Sequence, residues 1–565
     1  MKKAVILGAG LATRLYPITH HIPKVLVNYK QHTILKNLHD IYTDLGADEI
    51  IVVVHSKFQD MVQAYADQEG LKINIQTVDE SYGSAYALAL LNPILESHNV
   101  VLNWCDIIPD FNCFGWDRNE IMTFGDECRY QFIEGSRSIK NVGSTGGNVV
   151  GIYQIRDWEF YMGETKETIN EECNNRDFVD FLYAGIFKQH ELVNLIDLGD
   201  MPKLEKAHEQ RELNRSFNSV EINEDTVIKC AVTEQGRKLQ KDEVEWYYKV
   251  RSKSIPQIVG YNEDKGQFEM ERIKGLNMFD HMNRLSSVER ISMVDNILDA
   301  LVFDHNGVKV DEDTIEEDYT KEFYTKVIAR CESIQPLIDS FGKITNVNGV
   351  KIGRLKPMLK QALAHLISYH HKQFGRRYHI IHGDPNFSNT MIADGEVKFI
   401  DPRGYFGNTK IHGSRLYDEA KVLYAISGYD DFNADPLWGE LSIDETVNGA
   451  HIFIKPLIHK YEKMDTFNDY HHLAVAVIWI ALGGYFKNNP LKAVAAYYHG
   501  MKLLTKQLRK MGRLLQDGTI SHDEDEAVVA TLITRNPGKW VLLDKETGVK
   551  YRPIGGDITH QWEKI

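Results

Sequence analysis

KAVILGAGLATRLYPITHHIPK, residues 3–24, opens with an apolar run that stops at Gly8-Ala9-Gly10. Such a run reads as a buried strand, and the glycines let backbone N–H groups approach a phosphate closely. Two known phosphate loops are excluded. Thr13 stands where a GxGxxG fingerprint needs glycine, and no GK[ST] follows as a Walker A loop requires. What remains is a loop with two cations, Arg14 and Lys24. Attack of a phosphate on a nucleotide α-phosphate builds negative charge on oxygen, and fixed cations aimed there lower the barrier. Taken singly, each cation is better read as surface charge beside a tight turn.

Outward from this loop, residues 33–46 read as helix, and EIIVVV (49–54) as a second buried strand. Residues 72–78 and NVVLNW (99–104) add two more. Strands alternating with helices predict βαβ units and a mainly parallel sheet. At 205–215 (EKAHEQRELNR) the composition turns charged and helical, so a first domain is expected over 1–210. Short strands at 216–232 and 257–273 then flank a helical stretch near 237–252. From 286 helical patterns dominate, interrupted by a loop-like segment at 381–410, which sets a second domain at 211–512. Residues 513–565 are Gly- and charge-rich, with a hairpin signal at WVLLDKETGVKYRP, and read as a small β-rich appendage.

The bulk properties agree. At about 100–200 residues per domain, 565 residues make about three domains. A formal charge of −15 disfavours nucleic acid as partner but leaves small anionic substrates open. Six cysteines without a CxxC pair point to free thiols and no structural zinc. The glycine-broken start lacks a cleavage site, and no run of about 18 apolar residues exists, so a cytoplasmic protein without a membrane span is expected. A homo-oligomer is compatible with these properties.

A second segment carries chemistry: YHIIHGDPNFSNTMIADGEVKFIDPR, residues 378–403. One strand delivers His382-Gly383-Asp384, Asn389 follows five residues after the aspartate, and a second strand delivers Asp401. Phosphoryl transfer needs a carboxylate at the acceptor hydroxyl, and a carboxamide and second carboxylate to hold Mg²⁺ on the nucleotide. Asp-x4-Asn is the spacing of the protein-kinase catalytic loop. A plain β-hairpin with polar turn residues is the alternative.

Residues 1–30 resemble the signature of the sugar-phosphate nucleotidyltransferases, GxGxRL followed by PxT and PK, with Ala12 where many members have glycine. Gly83-Ser84-Ala85, Asp106, Gly151-Ile152-Tyr153 and Asp197-Leu198-Gly199 extend the resemblance over roughly 1–205. It implies that Leu7, Gly8, Ala9, Gly10, Gly83 and Ser84 contact the nucleotide, that Arg14 and Lys24 are catalytic, and that Asp106 and Asp197 bind Mg²⁺. A phosphorylated small molecule would then attack CTP, UTP or another NTP and release pyrophosphate.

Residues 212–512 resemble the aminoglycoside phosphotransferase and choline kinase superfamily through HGDxxxxN and IDP. That resemblance implies Asp384 as catalytic base, Asn389 and Asp401 as Mg²⁺ ligands, and His382 as a structural organiser. It implies Lys229 on the ATP phosphates, paired with Glu243 or, alternatively, Glu245. Ser216 to Ser219 would form the hairpin over the nucleotide and Glu269 to Arg272 the adenine-binding hinge. Trp479, Tyr485, Tyr497 and Tyr498 read as core rather than as a cage for a quaternary amine.

The fold class expected is thus α/β: a Rossmann-like nucleotidyltransferase domain, a bilobal α+β protein-kinase-like domain and a small β-rich C-terminal segment. The function expected is phosphorylation of a sugar or small alcohol by ATP, then nucleotidyl transfer to the product. The activated donor would be of the NDP-sugar type and feed surface polysaccharide or cell-wall synthesis. Rival readings are a CDP-alcohol product, two uncoupled activities, or a degenerate nucleotide-binding regulator.

Overall fold

The computed structural model describes residues 1–512 except 126–129, 134–137, 142–146, 165–168, 171–172, 174, 209–217, 436–437, 439–440, 448, 456 and 458–465. Beyond 512 it describes the short strands Arg535–Asn536, Lys539–Trp540, Leu542–Leu543, Lys550–Pro553 and Trp562–Lys564. Leu542–Leu543 pairs antiparallel with Lys550–Pro553, as the hairpin signal predicts.

The N-terminal sheet is centred on β1 (Lys2–Leu7). Parallel partners are β2 (Glu49–His55) on one side, with β3 (Asn74–Val78) beyond it, and β4 (Asn99–Trp104) on the other. A pair of short strands, β5 (Ile107–Asp110) and β6 (Asn194–Asp197), forms a separate antiparallel ribbon. Strand Gly147–Ile155 runs antiparallel beside β4, which makes the main sheet mixed. Helices α1 (Ile34–Asp44) and α2 (Gln59–Glu69) cover one face and α3 (Ser84–Leu95) the other. Alternation explains why β1 is apolar from Ala4 to Leu7: Ala4 and Ile6 enter the core under α1 and α2, while Val5 and Leu7 enter the core under α3. A sheet buried on both faces has no polar side to show.

The second half opens with an antiparallel sheet of β7 (Asn218–Ile222), β8 (Thr226–Ala231), β9 (Ile258–Asn262) and β10 (Gln267–Glu271), in the order β7-β8-β10-β9. Helix α4 (Glu234–Lys249) connects β8 to β9 and packs against them. The expected strand–helix–strand order therefore appears. The body that follows includes α5 (Lys326–Ser333), α6 (Leu355–Phe374), α7 (Arg415–Tyr424), α8 (Asp430–Ala434), α9 (Asp469–Tyr485) and α10 (Pro490–Lys510). Nearly every side chain of α9 from Leu473 to Leu482 is buried, so its lack of a polar face marks a central helix.

Two expectations need correction. The helical half contains a four-stranded sheet, ordered Val350–Lys351, Ile344–Val347, Gly449–Ile454, Leu441–Thr446. Alternation in LSIDET and AHIFI around Asn448-Gly449 signals that hairpin. The segment 381–410 is also less loop-like than its composition, holding the hairpin Thr390–Ala393 with Glu396–Phe399. Ser216 lies outside the described residues, as does most of the 205–215 boundary.

The two halves touch through α2. It packs on the helix Gln335–Ser340, and Lys487 Nζ lies 3.1 Å from Glu69 Oε1. Gln68 and Asn28 donate to the backbone oxygens of Lys487 and Asn488 at 3.0 and 3.2 Å.

Candidate active sites

The first site lies where β1 and β4 end. Gly8 donates to Val53 O, and a Cβ at Gly8 would lie 2.6 Å from Val25 Cγ1, so close packing under the loop excludes a side chain. Nothing lies within 4 Å of the same position at Gly10, which faces open space. Ala12 holds a φ of 51°, the left-handed region in which glycine is unstrained and alanine is not. That is the physical reason for glycine at the matching position of the resembled signature. Thr19 Oγ1 donates to Ala12 O at 2.8 Å and helps hold the bend. Arg14 follows in a short 3-10 turn and is exposed.

Lys24 is buried, and its Nζ lies 2.6 Å from Asp106 Oδ2 and 3.4 Å from Gly199 O. The ribbon brings the second carboxylate alongside, because Asp197 pairs in register with Ile107. Asp197 Oδ1 accepts the Gly199 N–H at 2.8 Å, and Oδ2 meets Lys203 Nζ at 2.6 Å. A Cβ at Gly199 would lie 2.8 Å from Asp197 Oδ1 and 3.4 Å from Asp106 Oδ2. Both carboxylates thus border one small cradle that glycine keeps clear. Two carboxylates with phosphate and water oxygens make up the donor set Mg²⁺ favours, so these residues fit the implied metal.

Gly83 has φ 95°, and a Cβ there would lie 2.5 Å from Arg176 O. Ser84 Oγ accepts the Phe178 N–H at 2.8 Å, so it ties the start of α3 to the chain opposite. Ser81 Oγ donates to Ala9 O at 2.9 Å and links this segment to the loop after β1. The structure therefore brings Leu7–Gly10, Gly83–Ser84, Lys24, Asp106 and Asp197 to one end of the sheet.

The second site sits between the antiparallel sheet and the helical body. Lys229 on β8 is buried, with Nζ 2.6 Å from Glu243 Oε1 and 2.7 Å from Asp401 Oδ1. Burial opposes its charge, but Asp401 and Glu243 outweigh that and hold its pKa above the ordinary value. Glu245, the alternative partner, pairs with Lys249 instead. Asp401 holds a φ of 57°, and its N–H donates to Tyr247 Oη at 3.2 Å. Strain of this kind collects where a side chain must be aimed.

Asn389 Nδ2 donates to Asp384 O at 3.0 Å and Asp384 Oδ2 at 3.3 Å. Its amide nitrogen is thus engaged, and its oxygen is the donor left for a cation. With Asp401 it fits Mg²⁺ on nucleotide phosphates. Lys421 Nζ lies 2.9 Å from Asp384 Oδ1. His382 is fully buried, with Nε2 3.0 Å from Ile400 O, and its Nδ1 accepts the Asp384 N–H at 3.3 Å. Burial pushes its pKa down to about 4. A neutral ring held from both nitrogens orders the loop and has no proton-accepting atom to offer substrate.

Two cavities meet here. One, of about 590 Å³, is bordered by Lys229, Glu243, Met270, Arg272 and Asp401, with Asn218 and Val220 over it. It takes in the strand expected to supply the hinge and the described part of the SFNS hairpin. The other, of about 290 Å³, opens among α5, α7 and α9. Asp384, Arg403 and Tyr405 line both.

Four supports escaped the sequence reading. Asp418 on α7 accepts the His382 and Gly383 N–H groups, both at 2.7 Å. Asp430 on α8 accepts those of Phe387 and Ser388 at 3.1 and 2.9 Å. Burial pushes Asp418 up to about 7 and Asp430 up to about 6, against the downward pull of those N–H bonds. Arg403 makes a two-pronged pair with buried Glu322 at 2.8 and 2.6 Å, and Lys421 reaches Asp384. No sequence signal set the two aspartates apart, because α7 (RLYDEAKVLY) and α8 (DDFNA) both carry other charged or polar residues. Arg403 closes the quoted motif itself. Trp479, Tyr497 and Tyr498 are buried core, whereas Tyr485 is exposed and lines the smaller cavity.

Comparison with known proteins bears on the first site. Residues 3–113 match the family model described as Nucleotidyl transferase. The UTP–glucose-1-phosphate uridylyltransferase AglF of Haloferax volcanii is 39% identical over 87 residues, which is 15% of this chain and 36% of that protein. The choline-phosphate cytidylyltransferase of Streptococcus pneumoniae is 28% identical over 99 residues, 18% of this chain and 43% of that protein. The chain therefore spans less than half the length of these curated relatives. The solved structure of CTP:phosphocholine cytidylyltransferase from Streptococcus pneumoniae overlaps 37% of this chain and 98% of its own, with 20% identity and a TM-score of 0.32. The N-terminal region is a nucleotidyltransferase-type α/β domain built on a mixed sheet, with antiparallel strands beyond β4 on one side of the parallel core, so the sheet is less parallel than the sequence predicts. No helix among the described residues is long and apolar enough to cross a membrane.

Proposed function

We propose that the chain is a bifunctional enzyme. Residues 211–512 phosphorylate a sugar or small alcohol with ATP. Residues 1–210 transfer a nucleotidyl group from CTP, UTP or another NTP to the phosphorylated product. The activated donor is of the NDP-sugar type and serves surface polysaccharide or cell-wall synthesis. Residues 513–565 are a separate appendage.

One observation carries the reading of the second half: Asp384 borders both cavities. A nucleotide in the larger cavity and an acceptor in the smaller one meet at its carboxylate. The acceptor oxygen attacks the γ-phosphorus, the bond to the β-phosphate oxygen breaks, and ADP leaves with the electron pair. The hydroxyl proton passes to Asp384. Lys229 grips the α/β-phosphates while Glu243 positions it. Mg²⁺, held by Asn389 and Asp401, supplies charge neutralisation on the phosphates when bound.

In the first half the family match and the Lys24–Asp106–Asp197 cluster support nucleotidyl transfer. Arg14 and Lys24 face the charge that develops on the α-phosphate and the departing pyrophosphate. Mg²⁺ on Asp106 and Asp197 supplies the same neutralisation there. A second reading, a CDP-alcohol product, is favoured by the similarity to a choline-phosphate cytidylyltransferase.

The test is a panel of sugars and alcohols incubated with Mg²⁺-ATP and each NTP, reading ADP and pyrophosphate separately. ADP release that requires Asp384 and pyrophosphate release that requires Lys24 are expected. Failure to release pyrophosphate with any phosphorylated acceptor would remove the first activity from the reading.

A further inference from the structure

The smaller cavity has an unusual charge balance for an acceptor site. Lys326, Arg330, Arg403 and Lys421 line it, against Glu322 and Asp384, an excess of two positive charges. Both carboxylates are already engaged. Glu322 takes Arg403 and also pairs with Lys326, and Asp384 takes Lys421. An incoming ammonium group would find four cations and two committed counter-charges.

The aromatic walls are committed as well. Arg403 lies over the Tyr405 ring at 4.0 Å, and Lys421 over Tyr424 at 5.0 Å. Tyr424 stacks on Tyr429 with centroids 4.3 Å apart. A cage for a quaternary amine needs ring faces open to the ligand, and here the protein's own cations lie over Tyr405, Tyr417 and Tyr424, while Tyr429 is stacked on Tyr424.

We infer that the acceptor is a small hydroxylated compound bearing an anionic group, a carboxylate or a phosphate, bound by Lys326 and Arg330 with its hydroxyl at Asp384. This rests on the kinase reading above. Lys326 and Arg330 stand four residues apart on α5, so their side chains emerge side by side on one helix face. Burial and the Arg403 charge push the Lys326 pKa down to about 7 against the upward pull of Glu322, so an anion beside Lys326 adds counter-charge that favours its protonated form. The hydroxyl oxygen forms the new bond to the γ-phosphorus, ADP departs, and the proton goes to Asp384, while the anionic group stays unreacted at the far wall.

The experiment uses the full chain with Mg²⁺-ATP and matched acceptors: glycerol, glycerate and glycerol phosphate; glucose and glucuronate; choline and ethanolamine. At least one anionic acceptor should exceed its neutral counterpart in kcat/KM by about tenfold, the value of one charge-assisted contact. Which anionic arm wins separates carboxylate from phosphate. Arg330→Gln, which leaves the Glu322–Arg403 pair intact, should lower the anionic-to-neutral ratio by about tenfold, mainly through KM. Lys326→Gln should act in the same direction. Preference for choline, ethanolamine or a neutral polyol overturns the inference and leaves the kinase reading standing. Absence of ATP-dependent phosphorylation across the whole panel removes both.

Discussion

Each half of the molecule places a buried lysine against an aspartate, Lys24 on Asp106 at 2.6 Å and Lys229 on Asp401 at 2.7 Å. The surroundings differ. Lys24 has a backbone carbonyl as its other partner, at 3.4 Å, and stands in a loop that also carries exposed Arg14. Lys229 has a second carboxylate at 2.6 Å on a neighbouring helix. The first site is assembled at the ends of parallel strands and of an antiparallel ribbon, from segments up to 175 residues apart. The second is assembled across two layers, with buried acids from α7 and α8 clamping the loop that holds Asp384. The first gains its precision from backbone constraints at strand ends, whereas the second needs buried side-chain supports from the helices behind it.

The comparison is broken hardest at Asp384. Asp384→Asn should lower ATP-dependent phosphorylation by about 10³-fold or more, as loss of a positioned base does, and leave pyrophosphate release from a supplied phosphorylated acceptor unchanged. Separate assays of ADP and pyrophosphate decide it, and equal loss of both would show that the halves are not independent. Next come the paired lysines. Lys24→Met should reduce pyrophosphate release and Lys229→Met ADP release, each by about 10²-fold, the usual worth of one fixed charge at a transferring phosphate. Crossed effects would contradict the division of labour.

The clamps sharpen the contrast through pH. His382, with its pKa pushed down to about 4, takes up a proton more readily when unfolded. Its contribution is present above about 6.5 and is lost as pH falls toward 4, by about 1.4 kcal/mol per pH unit. His370, pushed down to about 3, acts in the same direction. Asp418, pushed up to about 7, works oppositely. Its contribution is full below about 3.9 and is lost as pH rises toward 7 with a similar slope. His382→Gln should therefore make stability rise less, or fall more, than in the wild type as pH rises from about 4 to 6.5. Asp418→Asn should expose a decline as pH falls from about 6.5 to 4. Melting temperatures across that range, read on the second half's tryptophans, check both signs.

The smallest effect concerns Ala12. Ala12→Gly relieves a left-handed alanine and raises chain entropy when unfolded, so a net gain of about 0.5–1 kcal/mol is expected. Denaturant midpoints of the wild type and variant measure it, and a loss would mean that the Ala12 methyl makes contacts worth more than the strain.

What could be read ahead of the structure follows the same contrast. Strands β1, β2, β3 and β4 fall within a residue or two of their expected bounds; in β1, β2 and β4 burial on both faces leaves apolar runs, whereas the half-buried edge strand β3 (NIQTV) alternates polar and apolar residues. The Lys24–Asp106–Asp197 grouping needed the family resemblance, since the 82 residues separating Lys24 from Asp106 carry no local spacing rule. Asp384, Asn389 and Asp401 were legible as a spacing on one hairpin, and Lys229–Glu243 as a strand followed by a helix. Asp418, Asp430, Glu322 and Lys421 were not. Each acts through a contact between elements, and a buried carboxylate in a helix looks in sequence like any solvated acid. The hairpin at 441–454 was missed for a different reason, since its alternation was present but outweighed by the helical tone around it.

The wall shared by the two cavities has a practical consequence. Asp384, Arg403 and Tyr405 belong to both, so remodelling at any of them alters donor and acceptor at once. Away from that wall, residues such as Tyr429, Asn433 and Tyr485 border the smaller cavity alone. On the proposed kinase reading, libraries at those three positions should change the acceptor while the nucleotide cavity keeps its shape.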